Sequence, residues 1–223
     1  TADLRAERLI LAGLEQITPD IPVVAEESVA SGRVPAELGD RFWLVDPLDG
    51  TKEFLSRNGE FTVNVALVQD GQPVFGVVHT PVLGATYVGG FGGATVTRGT
   101  ETVPLQVVEP PSDGLRVLVS RSHLDDRTRD WLEKVPVKER VQAGSSLKFC
   151  RIAEGEADLY PRLGRTMEWD TAAGHAVLVA AGGAVRTLEG RPLTYGHEGF
   201  ANPPFLAYGL WTADTVVEPD RLA

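Results

Sequence analysis

The stretch that most constrains this 223-residue chain is Phe42-Trp43-Leu44-Val45-Asp46-Pro47-Leu48-Asp49-Gly50-Thr51. Its apolar start reads as a short buried strand, and the strand stops at two aspartates three residues apart. Pro47 has a fixed φ and holds Asp46 extended before it. Gly50 permits a tight turn and the close approach of a ligand. Two carboxylates held at one strand end repel each other unless a cation lies between them. Hard oxygen ligands of this kind suit Mg²⁺ or Mn²⁺, and the Gly50-Thr51-Lys52 that follows suits a phosphate. Asp-Pro and Asp-Gly are also ordinary turn dipeptides. Taken alone, the stretch is better read as a surface turn, and other acidic segments have to decide.

Composition narrows the partners. Hydrophobic residues make up 43% and charged residues 23%, the mix of a soluble globular protein with one large domain or two small ones. A formal net charge of −10 argues against a field that grips a nucleic-acid polymer. A small anionic substrate then needs metal ions and a few local cations to reverse the field at its site. Cys150 is the only cysteine, which excludes an internal disulfide and points to a reducing compartment. Its helix-like surroundings read it as packing rather than as a nucleophile. No apolar run approaches a transmembrane span and no signal peptide is evident, so a cytoplasmic protein is expected, free or peripherally held at a membrane. The chain lacks a starting Met and enters a helical pattern at once, the mark of a piece of a longer protein.

Along the chain, Ala6, Ile10, Gly13, Leu14 and Ile17 share one helical face, with Arg5, Glu7, Arg8 and Glu15 elsewhere. Ile21–Ala25 reads as a strand running into Glu26-Glu27-Ser28, and 29–40 reads as a loop without period. Strands are predicted over 61–68 and 73–79 around an Asp70-Gly71 hairpin turn, and over 85–88 and 94–97 around a glycine-rich turn. Glu109–Gly114 is the best internal boundary, giving an α+β half over 1–109 and an α/β half over 110–223. In the second half, strands are predicted over 115–120, 158–161, 184–188 and 205–210. Helices are predicted over 125–134, 145–154 and 170–181. Asp170 at the start of the last helix reads as an N-cap. The small Ala172-Ala173-Gly174 after it leave room for an anion or a metal at that helix end.

Three acidic motifs in this order, Glu26-Glu27-Ser28, Asp46-Pro47-Leu48-Asp49-Gly50-Thr51 and Trp169-Asp170-Thr171-Ala172-Ala173-Gly174, resemble the inositol monophosphatase superfamily of Mg²⁺-dependent, lithium-sensitive phosphatases. The resemblance runs along nearly the whole chain. Lys52-Glu53-Phe54, the run Arg57 to Asn64, Gly144-Ser145-Ser146-Leu147-Lys148 and Glu168-Trp169-Asp170-Thr171 resemble its bacterial 3′(2′),5′-bisphosphate nucleotidase branch, whose setting is sulfur assimilation.

The resemblance implies a layered α-β-α-β-α sandwich in which an N-terminal helix and a strand-forming segment before Thr1 are missing. It implies metal ligands at Glu26, Asp46, Asp49, Asp170 and the Leu48 carbonyl, holding two or three Mg²⁺ ions, with Mn²⁺ as an alternative. Thr51 and Asp3 match residues that orient the attacking water, beside Glu26, and the backbone of Gly50 and Thr51 would bind the phosphate. Ser145, Ser146, Lys148, His123 and Arg162 would hold the rest of a nucleotide. The plain structural readings stand beside these: Lys148 and Arg162 as solvated cations, His123 as a helix cap. The implied activity is removal of the 3′-phosphate of 3′-phosphoadenosine 5′-phosphate, leaving AMP. An inositol-1-phosphate or sugar-phosphate phosphatase is the enzymatic alternative, and a metal- and nucleotide-binding sensor without turnover is the alternative of another class. The resemblance is compatible with a monomer or a homodimer.

Overall fold

The computed structural model describes residues 1–120 and 125–210. The first half contains α1 (Ala2–Ile17), β1 (Val23–Ala25), α2 (Glu26–Ala30), β2 (Arg41–Asp49), α3 (Thr51–Ser56), β3 (Thr62–Gln69), β4 (Gln72–Thr80), β5 (Ala85–Gly90), β6 (Gly93–Arg98) and β7 (Glu101–Leu105). The second contains β8 (Leu115–Ser120), α4 (Asp126–Leu132), β9 (Val137–Ala143), α5 (Leu147–Ala153), β10 (Leu159–Arg162), α6 (Glu168–Ala180), β11 (Ala184–Thr187) and β12 (Phe205–Tyr208).

Seven strands form one sheet in sequence order, β1 parallel to β2 and the other pairs antiparallel. Period-two burial carries this meander: in β3 every second residue, Thr62, Asn64, Ala66 and Val68, points inward. Asp70 and Gly71 both have positive φ, 51° and 72°, as a two-residue hairpin turn requires. The other sheet has the order β11-β12-β10-β8-β9, with β8 parallel to β9 and β10, and β12 antiparallel to its two neighbours.

The layers follow from which faces are apolar. Ile10, Leu11 and Leu14 of α1 pack on Trp43, Val45 and Val65 of the first sheet. The opposite face of that sheet shares the main core with α5, α6 and the inner face of the second sheet, through Val68, Tyr87, Phe149, Val177, Tyr160 and Phe205. Outside the second sheet, Trp131 and Leu132 of α4 cover Val117, Val119 and Leu159. The stack is therefore helix, sheet, helix, sheet, helix, as the resemblance implies. The segment 106–114 runs between the two sheets, while α6, from the second half, packs on β3, β4 and β5 of the first.

Helix α6 lies unusually close to the first sheet. A Cβ built on Gly76 would stand 2.5 Å from the Ala173 carbonyl, and one on Gly89 would stand 2.4 Å from the Val177 Cα. A Cβ on Gly174 would meet the Phe149 ring of α5 at 2.5 Å. The small residues of this helix thus make room for sheet and helix neighbours, which corrects their reading as space for a ligand.

Other expectations change in detail. Residues 26–30 are helical rather than a strand end followed by loop, and β7 and β9 arise where no strand was predicted. The inward face of α1 is Glu7, Ile10, Leu11 and Leu14, whereas Ile17 is 69% exposed. Glu7, placed by pattern on a solvated face, is buried. Cys150 is fully buried in α5. Among the described residues no helix is long and apolar enough to cross a membrane.

Candidate active site

In a regular strand, residues three apart face opposite sides, so Asp46 and Asp49 could not act together. The register shows how they do. Asp46 pairs with Asn64 and Asp49 with Thr62, so three steps on β2 oppose two on β3. This bulge restores the two carboxylates to one side, and it contains Pro47, which has no N–H to give a ladder. Gly50 follows at φ 90° and turns the chain into α3, a conformation that disfavours a residue with a Cβ.

Each aspartate has one oxygen tied by a backbone N–H. Leu48 N donates to Asp46 Oδ1 at 2.9 Å, Ser146 N to Asp49 Oδ2 at 2.6 Å, and Met167 N to Asp170 Oδ2 at 2.8 Å. Helix α6 begins at Glu168, so Asp170 is its third residue and reaches back to Met167, which corrects the N-cap expectation. Asp49 Oδ2 also accepts from Thr62 Oγ1 and Asn64 Nδ2, both at 3.3 Å.

Glu26, at the start of α2, joins these acids. Burial raises the pKa of Asp46 well above the ordinary carboxylate value, and the charges of Asp49, Glu26 and Asp170 add to the rise. Burial and Asp49 push Asp170 up to about 7. Asp49 and Glu26 are raised as well, chiefly by burial, with Lys148 opposing the rise at Asp49 and a hydrogen bond to Asp46 opposing it at Glu26. Four neighbouring carboxylates that each resist ionisation form a site short of positive charge. Hard oxygens with one lone-pair region already oriented fit Mg²⁺ or Mn²⁺. Among the described residues no three His, Cys, Asp or Glu side chains are closed around a single point; the acids are neighbours, not a preset cage.

A cavity of about 140 Å³ opens beside them, and its lining holds both the acids Asp49, Glu53 and Asp170 and the residues Lys148, Tyr160 and Arg162. Gly50, Ser120, Ser145, Phe149, Thr166 and Thr171 complete the wall. Lys148 is buried. Its Nζ donates to the Ser145 and Ala143 carbonyls at 2.8 and 3.3 Å and sits 5.0 Å from the centre of the Tyr160 ring. Burial lowers its pKa to about 8, against the pull of Asp49. Arg162 Nη2 donates to the Arg165 carbonyl, while its buried Nε has no hydrogen-bond partner among the described residues.

The sequence-predicted residues are thus sorted. Asp49, Gly50, Ser145, Lys148, Arg162 and Asp170 line one cavity, and Glu26 and Asp46 are electrostatic neighbours of its acids. Asp3 lies in the first turn of α1, and its charge adds to the burial that raises the pKa of both Glu26 and Glu27. Thr51 opens α3 and is exposed. Leu48 is buried and gives its N–H to Asp46. Ser146 is buried outside the lining, its Oγ 2.8 Å from Thr62 Oγ1 and 2.7 Å from Asn64 Oδ1. His123 lies outside the described residues.

Thr62 and Asn64 escaped sequence reasoning as site residues. Their signal was present: two polar residues in the inward phase of an otherwise apolar strand, where a buried polar group needs a partner. Glu53 and Tyr160, also in the wall, carried no such signal.

Comparison with known proteins bears on what this arrangement does. A model of the inositol monophosphatase family matches residues 1–216. The chain is 49% identical over 207 residues to the 3′(2′),5′-bisphosphate nucleotidase CysQ of Salmonella typhimurium, covering 92% of this chain and 82% of that one. The protein of the same name from Escherichia coli K12 is 47% identical with the same coverage. Among solved structures, CysQ from Bacteroides thetaiotaomicron, described as a bacterial member of the inositol monophosphatase family, has a TM-score of 0.80 at 38% identity, covering 94% of this chain and 84% of that one. An inositol monophosphatase from Anabaena reaches 0.76 at 26% identity, covering 93% and 81%.

Proposed function

We propose that this chain, which belongs to the inositol monophosphatase family, is a Mg²⁺-dependent phosphomonoesterase that removes the 3′-phosphate of 3′-phosphoadenosine 5′-phosphate, giving AMP and phosphate. The observation that carries this reading is one cavity whose lining contains both the acids Asp49 and Asp170 and the cations Lys148 and Arg162. A bisphosphate needs both: an acidic end that takes cations around the phosphate to be cleaved, and fixed cations for the phosphate that stays. The relatives at 47–49% identity, named as bisphosphate nucleotidases, support the same substrate class.

In this reading Glu26, Asp46, Asp49, Asp170 and the Leu48 carbonyl hold the ions. Bound Mg²⁺ supplies Lewis acidity at the phosphoryl oxygens and lowers the pKa of a water. The chain's own groups do the rest. Thr51 Oγ1 and Asp3 orient the water's proton, with Glu26 beside them. The N–H groups of Gly50 and Thr51 take a phosphate oxygen. Lys148 and Arg162 receive the second phosphate, and Ser145, whose hydroxyl donates to the Glu60 carbonyl at 2.7 Å, accepts from a sugar hydroxyl. Ser146 contributes through its N–H, which fixes Asp49, since its hydroxyl is occupied by Thr62 and Asn64.

Asp49→Asn tests the metal assignment. The substitution keeps shape and an acceptor oxygen for Ser146 N, and the repulsion it relieves among the acids offsets the charge it removes from beside Lys148, so the variant should fold as the wild type does, read by circular dichroism. The Mg²⁺-dependent kcat should fall by about 10²–10³-fold. A variant with the wild-type rate at saturating Mg²⁺ would contradict the assignment.

A further inference from the structure

The opening helix holds a buried carboxylate that the proposed chemistry does not use. Glu7 is 3% exposed. Its Oε2 accepts from Glu27 N at 2.8 Å and its Oε1 from Ser28 Oγ at 2.7 Å. Both partners lie in the first turn of α2, the helix that starts with Glu26. That helix is five residues long, well below the length at which a helix holds itself together in water. Its N-cap residue is Ala25, whose side chain can accept nothing, so the free N–H groups of its first turn lack a local acceptor. Glu7 supplies one from α1. Asp3 lies four residues earlier, on the same face of α1, and its charge is felt at Glu26 and Glu27.

We infer that Glu7 is a positioning residue for the metal site: as a cap supplied from another helix, it fixes the first turn of α2 and so holds Glu26 against Asp46 and in register with Asp3. The inference rests on Glu26 being a metal ligand, as proposed above. Residues that orient ligands without touching the metal characteristically set its affinity. Glu7→Gln retains bulk but offers one acceptor oxygen in place of two, so Glu27 N and Ser28 Oγ cannot both be served as before.

The test is calorimetric titration of Mg²⁺ into the wild-type chain, Glu7→Gln and Leu14→Ala. Leu14→Ala weakens the packing of α1 on Trp43, Val45 and Ala25 but removes neither of the hydrogen bonds that Glu7 accepts from α2, and it controls for general destabilisation. Mg²⁺ should bind Glu7→Gln about tenfold more weakly than wild type, and Leu14→Ala should stay within about twofold of wild type. Equal affinity for Glu7→Gln and wild type would overturn the inference alone, as would an equal loss in Leu14→Ala. A wild-type chain that binds no Mg²⁺ would overturn the inference together with the reading it rests on. Should Glu7→Gln not fold, Ser28→Ala removes one of the two bonds. It should weaken Mg²⁺ binding severalfold, and unchanged binding there would overturn the inference.

Discussion

At Lys148 burial and the charge of Asp49 act against each other. An ammonium fully enclosed by protein is costly, and its lowered pKa of about 8 reflects that cost. Two carbonyls and the face of Tyr160 compensate in part. A second phosphate would complete the compensation, which is why Lys148→Ala should raise KM for the bisphosphate by about tenfold or more, with a much smaller change for 3′-AMP. Equal changes for both substrates in steady-state assays would remove Lys148 from the second phosphate site. His175, in α6, shows the opposite case of a buried base with no charge to answer it. Burial lowers its pKa to about 3, and its Nδ1 lies 2.9 Å from the Tyr195 hydroxyl. Below the ordinary value of 6.5 the unfolded chain takes up a proton that the folded chain refuses. The stability this group contributes is therefore complete above pH 6.5 and is lost as pH falls toward 3. His175→Gln should flatten the acid side of the stability profile by roughly 1.4 kcal/mol per pH unit at most. Urea midpoints of the two proteins between pH 7 and pH 4 measure this, and parallel curves would contradict it.

At the scale of elements, α6 carries Asp170 and is also the slab shared by both sheets. Its seat depends on Gly76 and Gly89, so Gly76→Ala should destabilise the fold by about 1–3 kcal/mol through overpacking, read as a lower urea midpoint. An unchanged midpoint would mean that the helix can move away from the sheet freely. The same scale explains what could be read from the sequence. Strands with strict alternation, such as β3, and the Asp70-Gly71 turn were legible because period and turn chemistry are local. The two missed strands, β7 and β9, are both edge strands. Glu101-Thr-Val-Pro104-Leu and Val137-Lys-Glu-Arg140-Val-Gln-Ala carry the charges and proline that keep an edge from pairing further, and these obscure the period. Helix α2 is too short to show a period, and the role of Glu7 depends on a contact twenty residues away. The three aspartates of the site were legible from their motifs, because strand ends and helix starts are where carboxylates can be held together. The bulge that aligns Asp46 with Asp49 needed the partner strand to be seen.

The whole molecule carries a net charge of −10 and nonetheless is proposed to bind a polyanion. The five-layer stack places the acids of the first half beside Lys148 and Arg162 of the second, so the site exists only where the halves meet. Cations bound among the acids would reverse the local field, and the enclosed Lys148 would then see a phosphate in place of bulk negative charge. A cavity lined by acids and cations together has a direct consequence for substrates: the second phosphate contributes to binding. The measurement closest to that claim is Mg²⁺-dependent phosphate release from 3′-phosphoadenosine 5′-phosphate and from inositol 1-phosphate, each as kcat/KM, on the same preparation of the chain. The expected result is a clear preference for the bisphosphate that disappears with EDTA. Equal or better turnover of inositol 1-phosphate would contradict it.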